Sequence, residues 1–549
     1  MSKMTIVEYL IKRINDLGIQ EVFGVPGDYN FHILEAIERH PETKWIGCCN
    51  ELNSGYAADG YARIKGFGAI VTTYGVGELS AINAVAGSFA ESVPVIKIVG
   101  MPKKRAIDKG QIIHHCLADR DYNTFYEIYS KVTAHSVVIS KENAQEQIEQ
   151  ALSVLYNERK PVYIGIYDDY CCEPINITTD IFEPKKSDPE KLSAATDHIM
   201  SILNDSQDTV MLSDFPVLRY GLQDKLQTLA NKSGFAVATM AMGKSSVDEA
   251  SSNFIGVYCG DLVSEKIAER VESSDCVLGF GIFMTDFNSG GYTSKLNFEK
   301  VIDIQTHHVK INNTVYDNVI MEDIIDILIE KVKQSESKNE KISYGYVSQE
   351  ASNEELTQDY IYSTIQDFIS SSDIYLPETG LTSFGSVPIR LPHGAKYCTQ
   401  VLWGSIGWGT PATFGASMAD KTKRVIMITG EGSHQMTAQE VSSMLRYGVN
   451  PIIIVINNDG YTIERLLCTN PMDEFNDIAQ WDYTNFAESF SGNLLTIKAH
   501  TKNDLLNALN SARRSEKLVY IEAFTPMMDA PEFAKKLSEK VSPSQSQVL

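Results

Sequence analysis

VIMITG at residues 425–430, EGSHQMTAQEVSSMLRYG at 431–448 and PIIIVINNDGYTIE at 451–464 decide the reading of this chain. Two β-branched apolar runs of strand length flank a stretch that suits a glycine turn and then a helix. Strand, helix, strand in that order implies parallel pairing. Parallel pairing puts the turns after Gly430 and after Asn457 at one sheet edge. There Gly430 and Gly432 let the backbone approach a diphosphate, with Ser433 and the start of the following helix offering donors. Glu431 and Asn458 then project oxygen toward one point beside the Gly460 carbonyl, and oxygen ligands next to a diphosphate suit Mg²⁺. Either turn alone is ordinary βα punctuation; the two together make a candidate site.

The same alternation runs outward along the chain. Strand-length apolar runs recur at EVFGV, AIVTTY, VPVIKIVG, PVYIGI, TVMLSD, CVLGFG, VIDI, IYLPE and VYIEAF, with helix-length stretches between them. This predicts an α/β chain of parallel sheets covered by helices. The stretch 181–192 (IFEPKKSDPEKL) and the charged, Ser- and Asn-rich stretch from Lys331 to Gln358 read as linkers. They predict three doubly wound domains, at 1–180, 193–335 and 358–549.

A chain of 549 residues is long enough for several cores, and 43% hydrophobic with 22% charged residues is globular composition. Lys plus Arg number 48 against 71 for Asp plus Glu, a net charge of −23 that argues against nucleic acid or anionic lipid as a partner. No apolar run approaches the roughly 20 residues of a membrane span. The N-terminus places Ile6, Tyr9, Leu10, Ile14 and Leu17 on one helical face, unlike a signal peptide, so a cytoplasmic protein is expected. Nine scattered cysteines without a C-x-x-C spacing suggest neither a disulfide framework nor zinc.

Four further residues carry titratable chemistry. Asp28 lies in the Gly/Pro turn of VFGVPGDYN, and Glu51 stands at a strand-to-helix junction in IGCCNELNSGYAADGYAR. His114 and His115 are adjacent, so a regular element points them apart, whereas on a loop either could carry protons. Each alone is more often a turn aspartate, a dipole-favoured glutamate or a structural histidine.

Taken together the motifs resemble the thiamine diphosphate-dependent 2-oxo acid decarboxylases, the group of pyruvate, indolepyruvate and branched-chain oxo acid decarboxylases. FGVPGDYN, NELN, ADGYAR, TTYGVGELSAINAVAGSFAE, the paired histidines, ETGLTSFG, QVLWGSIGWGTPATFGA and NNDGYTIER carry the likeness, which spans essentially the whole chain. The resemblance implies a pyrimidine-binding, a middle and a diphosphate-binding domain, with the cofactor at a subunit interface in a homodimer or homotetramer. It implies that Glu51 holds the aminopyrimidine ring in the tautomer that deprotonates the thiazolium. It implies an acid–base cluster of Asp28, His114, His115 and Glu464. Thr379, Gly404, Ile406, Gly432, Ser433, Asn458 and Ile463 match cofactor contacts, and Glu431, Asn458 and Gly460 match the Mg²⁺ ligands.

Several positions depart from the pattern. Glu431 replaces the usual aspartate, Leu381 a usual hydroxyl residue, His434 an apolar residue and Cys468 a histidine. Ser383 stands where some members are bulky, suggesting a roomy substrate pocket, while Ile463 is the larger usual choice and narrows it. The expected activity is non-oxidative decarboxylation of a broad range of aliphatic, branched or aromatic 2-oxo acids. A pyruvate-preferring enzyme is the alternative; a carboligating synthase or an inactive cofactor-binding relative is more remote. A nicotinamide dehydrogenase ranks last, because no G-x-G-x-x-G with a downstream acid is present.

Overall fold

A computed structural model describes residues 4–175, 177, 181–334 and 342–545. The expected domain limits at 1, 180, 335 and 549 lie outside the described residues, as does the central part of the second expected linker. The first sheet holds β1 (Glu21–Gly24), β2 (Lys44–Gly47), β3 (Gly68–Thr73), β4 (Val95–Met101), β5 (His135–Val138) and β6 (Val162–Tyr167), in the spatial order β2-β1-β3-β4-β6-β5. The second holds β7 (Thr209–Ser213), β8 (Ala236–Met240), β9 (Phe254–Tyr258), β10 (Cys276–Phe280), β11 (Val301–Ile304), β12 (His308–Ile311) and β13 (Thr314–Asp317), in the order β13-β12-β11-β10-β7-β8-β9. The third holds β14 (Asp373–Pro377), β15 (Lys396–Tyr397), β16 (Arg424–Gly430), β17 (Ile452–Asn457), β18 (Leu494–Ala499) and β19 (Leu518–Phe524), in the order β15-β14-β16-β17-β19-β18.

The chain is therefore α/β with three sheets dominated by parallel pairing. The middle sheet departs from a purely parallel one, because β12 and β13 form an antiparallel hairpin against β11. Sequence reading found the central strands, whose unbroken apolar runs reflect burial on both faces. It read a strand before Glu51, where β2 lies, but passed over β5, β12, β13 and β18, where exposed or partly exposed residues interrupt the run, and over β9 and the two-residue β15. It also passed over buried β8, AVATM, whose small residues carry little periodic signal.

Two expected linkers are built into the fold. Pro189 opens a helix, Pro189–Asp205, capped by the Asp188 carboxylate accepting from Glu190 N at 3.0 Å and Lys191 N at 3.2 Å. In the second stretch, Tyr346 stacks on Tyr362 with ring centroids 5.7 Å apart, and its hydroxyl donates to the Gly385 carbonyl at 2.8 Å. Aromatic residues dispersed among charges thus turned a packed crossover into an apparent linker. The expected single helix after Gly430 is three short pieces, Glu431–Gln435, Ala438–Glu440 and Val441–Arg446. Thr437, with φ −143°, breaks it and donates its hydroxyl to the Gly407 carbonyl at 2.6 Å.

The first and third units share one core, joined where helices Glu51–Lys65 and Gly409–Ala419 cross. The crossing needs two glycines. A Cβ on Gly60 would sit 2.3 Å from the Ala412 carbonyl oxygen, and one on Gly415 would sit 1.8 Å from that of Ala57. Trp408, fully buried, donates its indole N–H to Asp59 at 2.8 Å across the junction. All nine cysteines are free thiols. No described helix is long and apolar enough to cross a membrane.

Candidate active site

The third sheet reverses its winding between β14 and β16, and crevices form at such switch points beyond the carboxyl ends of the strands. Gly430 pairs with Ile456, so Glu431 and Asn458 leave neighbouring strands at the same edge. A cavity there is lined by Thr379, Ile406, Glu431, Gly432, Ser433, Asn458, Gly460, Ile463 and Glu464, all named from the sequence. Gln358, Leu381, Thr382, Tyr461 and Thr462 also line it and were not named as contacts. Tyr461 and Thr462 lay inside the NNDGYTIE motif and could have been read there; Gln358 is remote in sequence and carries no such signal.

Glu431 is buried, and its Oε1 accepts the backbone N–H groups of Asn458 at 3.0 Å and Gly460 at 2.8 Å. Burial pushes its carboxyl up to about 7 in the ion-free protein. One terminal atom of the Asn458 amide lies 3.0 Å from the Gly460 carbonyl and 3.1 and 3.2 Å from Oε1 and Oε2 of Glu431. When that atom is the amide oxygen, four oxygens from three groups face one another. Such a cluster requires a cation, a proton on Glu431, or an amide turned over. For a ligand distance near 2.1 Å, neighbouring ligands of an octahedral ion are about 3.0 Å apart, so this donor set fits Mg²⁺. The longer Glu431 is accommodated because its extra methylene reaches the 458–460 turn.

Beside the cavity, Thr379 donates its hydroxyl to the Gln400 carbonyl at 2.5 Å, and Glu378 accepts from Gly409 N at 2.7 Å. Burial pushes the Glu378 carboxyl up to about 7. His434 is fully buried, its Nδ1 2.8 Å from Thr410 Oγ1 and its Nε2 2.8 Å from the Tyr520 hydroxyl. Burial without a carboxylate partner lowers it to about 3, so it is a neutral bridge between the diphosphate turn and its neighbours. Cys468 accepts a long hydrogen bond from the Asn476 amide at 3.5 Å, which links the end of helix Thr462–Leu467 to the next loop.

The first sheet presents a second constellation. Asp28 opens the turn after β1, and His114 Nε2 lies 2.8 Å from its Oδ2. His114 stacks on Tyr29 with centroids 4.7 Å apart, and its Nδ1 is 3.0 Å from the Tyr29 hydroxyl. The short contact places one proton between Nε2 and the Asp28 carboxylate, and the Tyr29 hydroxyl reaches both Nδ1 and, at 3.2 Å, the His114 carbonyl. His115, at φ +69°, turns back so that ligating atoms of Asp28, His114 and His115 lie within 4.8 Å of one another. Adjacent histidines converge because they sit on a loop. Glu51 starts helix Glu51–Lys65, capped by the Asn50 side chain, and a Cβ on Gly77 would lie 3.2 Å from the Glu51 Oε1.

The two constellations do not line one cavity in a single chain. Asp28, Glu51, His114 and His115 are absent from the lining of the cavity that holds Glu431 and Glu464. Gly404 is exposed beside it rather than in its lining. Ser383, expected in the substrate pocket, is not in the lining either. It is 1% exposed, and its hydroxyl turns back to the Gly380 carbonyl at 2.8 Å, as serine commonly does in a first helical turn. Leu381 and Thr382 take the lining position instead.

Comparison with known proteins agrees with this architecture. Residues 4–122 match the thiamine pyrophosphate enzyme N-terminal TPP binding domain, 196–330 the central domain and 382–523 the C-terminal TPP binding domain. The pyruvate decarboxylase of Aspergillus fumigatus is 35% identical over 555 residues, covering 97% of this chain and 96% of that protein. The alpha-keto-acid decarboxylase of Mycobacterium leprae is 34% identical over 551 residues, covering 98% and 96%. Pyruvate decarboxylase isozyme 1 of Saccharomyces cerevisiae is 33% identical over 551 residues, covering 97% of each.

Proposed function

The chain belongs to the thiamine diphosphate-dependent 2-oxo acid decarboxylases, enzymes of the carboxy-lyase class, and from that membership we propose that it converts a 2-oxo acid to an aldehyde and carbon dioxide with Mg²⁺ at the cofactor diphosphate. The observation that carries the metal is the triad of Glu431, Asn458 and Gly460 oxygens at the end of the glycine turn. When bound, thiamine diphosphate supplies a cationic ring that takes up the electron pair left by the departing carboxylate.

The protein's own residues bind, orient and move protons. Glu431, Asn458 and the Gly460 carbonyl hold the ion, while Gly432 and Ser433 cradle the diphosphate at close backbone approach. Ile406, Ile463 and Thr379 line the cavity and would position the cofactor, and the Gly404 carbonyl would accept from its amino group. Glu51 would meet the pyrimidine of the bound cofactor with its carboxyl and exchange a proton with it. The hydrogen-bonded Asp28–His114 pair, with His115 and Glu464, supplies and withdraws the proton that turns the decarboxylated product into a released aldehyde.

These roles need two chains, because the catalytic carboxyls of the first sheet lie outside the cavity of the third in a single chain. We assign a homodimer, with pairing into a homotetramer compatible with it. The apolar residues Phe31, Ile112 and Leu117 are all at least 50% exposed and flank Asp28 and the histidines in sequence, and Val76 and Leu79, at least 42% exposed, lie on either side of Gly77, whose added Cβ would meet Glu51. Met436, Met472 and Phe475 are likewise exposed in segments beside the cavity residues. Exposed apolar surface around each half favours a second copy.

For substrate, Leu381 and Ile463 in the lining favour short aliphatic 2-oxo acids, pyruvate first. A broader range extending to branched and aromatic acids is the alternative. Aldehyde release from pyruvate, 4-methyl-2-oxopentanoate, phenylpyruvate and indolepyruvate, with and without thiamine diphosphate and Mg²⁺, tests both. Turnover falling steadily with side-chain size supports the narrow pocket. No cofactor-dependent aldehyde from any of them, or full activity in Glu51→Gln, overturns the proposal.

A further inference from the structure

Thr462 stands between the oxygen triad and the C-terminal segment, and its one hydroxyl proton decides how Asn458 is oriented. The side chain is 2% exposed, and Oγ1 donates to the Met527 carbonyl at 2.7 Å. A carbonyl can only accept, so that proton is committed. Oγ1 also lies 2.9 Å from the second terminal atom of the Asn458 amide. While it donates to Met527, the hydroxyl can only accept toward Asn458, and the atom facing it is the NH₂; an amide turned over would instead draw that proton from Met527 to its own oxygen. The amide oxygen is then driven to the other side, 3.0 Å from the Gly460 carbonyl and 3.1 and 3.2 Å from the Glu431 carboxylate oxygens. Left to itself the amide would turn over and donate to those acceptors, closing the site against a cation.

We propose that Thr462 is a positioning residue that holds Asn458 with its oxygen toward a divalent cation, and that this control is referred to the C-terminal segment through the Met527 carbonyl. The inference rests on the reading of Glu431, Asn458 and Gly460 as the ion's ligands. Met527 precedes helix Glu532–Gln545, which packs on helices Leu381–Ser386 and Thr462–Leu467. Ion affinity and docking of the chain end are thereby linked.

The test is ion binding, not turnover. Mn²⁺ uptake is measured by electron paramagnetic resonance, and Mg²⁺ by calorimetry, on the full chain with thiamine diphosphate present. Thr462→Val removes the hydroxyl at nearly constant volume and should raise both dissociation constants about 10- to 100-fold, the usual cost of losing a residue that orients a ligand. Thr462→Ser keeps the hydroxyl and should bind as the parent does. Asn458→Asp carries oxygen at both terminal positions, so adding Thr462→Val to it should cost no more than about twofold. Parent-like ion binding by Thr462→Val, a serine variant as weak as the valine one, or an undiminished valine effect in the Asn458→Asp background each overturns the inference. Should the valine variant not fold, as circular dichroism would show, the serine variant and the thermal midpoint shift on adding Mn²⁺ carry the same decision. Failure of the parent itself to take up Mn²⁺ removes the ligand reading and this inference with it, whereas uptake by the parent with an unaffected valine variant removes the inference alone.

Discussion

Gly415→Ala tests whether the close helix crossing beneath the cofactor loop governs both stability and the site. The added Cβ would sit 1.8 Å from the Ala57 carbonyl oxygen, against the 3.0 Å below which real Cβ atoms are essentially never found. The helices must then separate by at least about 1.2 Å, or tilt. Forced overpacking of a buried contact costs about 1–3 kcal/mol. Separation also lengthens the 2.8 Å bond from Trp408 to Asp59, and a hydrogen bond to a charged group is worth about 1.5–3 kcal/mol. Better helix propensity returns up to about 1 kcal/mol. The net expectation is a destabilisation of about 2–4 kcal/mol, read from the urea midpoint at constant m. Residues 404–408 are held to the first unit by the same crossing, through Ser405 on the Tyr56 hydroxyl at 2.5 Å. The dissociation constant for thiamine diphosphate should therefore rise together with the loss of stability. A midpoint change worth less than about 0.5 kcal/mol, the range of an ordinary surface substitution, would refute the argument.

Three further outcomes are expected. Lys244 and Glu249 of the middle unit form a buried pair at 3.0 Å that also holds the Ile389 carbonyl and the Leu391 N–H of the chain leading on, so Lys244→Met should cost about 3–5 kcal/mol in chemical denaturation; most of that should return in the Lys244→Met/Glu249→Leu double variant. Asp28→Ala removes the carboxylate from His114 and should lower kcat about 10²- to 10⁴-fold while leaving cofactor affinity intact, with His114→Ala adding little on top; additive losses in steady-state kinetics would mean that the pair does not act as a unit. Burial raises Glu378 to about 7 and Asp214 to about 8, so the folded state binds more protons than the unfolded chain, and the stability these groups contribute is present below about pH 4 and lost as pH rises through 7 and 8. The thermal midpoint of the cofactor-free protein should accordingly fall between pH 6 and 8.5, and Glu378→Gln with Asp214→Asn should flatten that slope.

Much of the site was legible one motif at a time. The spacing of GEG and NNDG implied that two parallel strands deliver Glu431 and Asn458 to one edge, and the Gly430–Ile456 pairing does so. Asp28 and Glu51 were legible as carboxylates in edge turns, because proline, glycine and helix-start residues leave local signatures. Ser383 was misread: its type suggested space in the pocket, but its rotamer and the path of its helix turn it into the protein. Thr462 went unnamed because nothing in its own sequence reveals that its proton is committed to Met527, a residue 65 positions away.

What the sequence by itself determined is the three-sheet α/β architecture, the family and the residue types of the site, since period, turn chemistry and motif spacing are local properties of the chain. Only the tertiary structure decided which of those residues meet. It showed that adjacent histidines converge on Asp28, that Tyr346 docks a stretch resembling a linker, and that Asp28, Glu51 and the histidines do not line the cavity that holds Glu431. These outcomes depend on long-range packing, on a glycine opposite a distant carbonyl and on which oxygen holds a shared proton, and no local pattern records contacts between residues hundreds of positions apart.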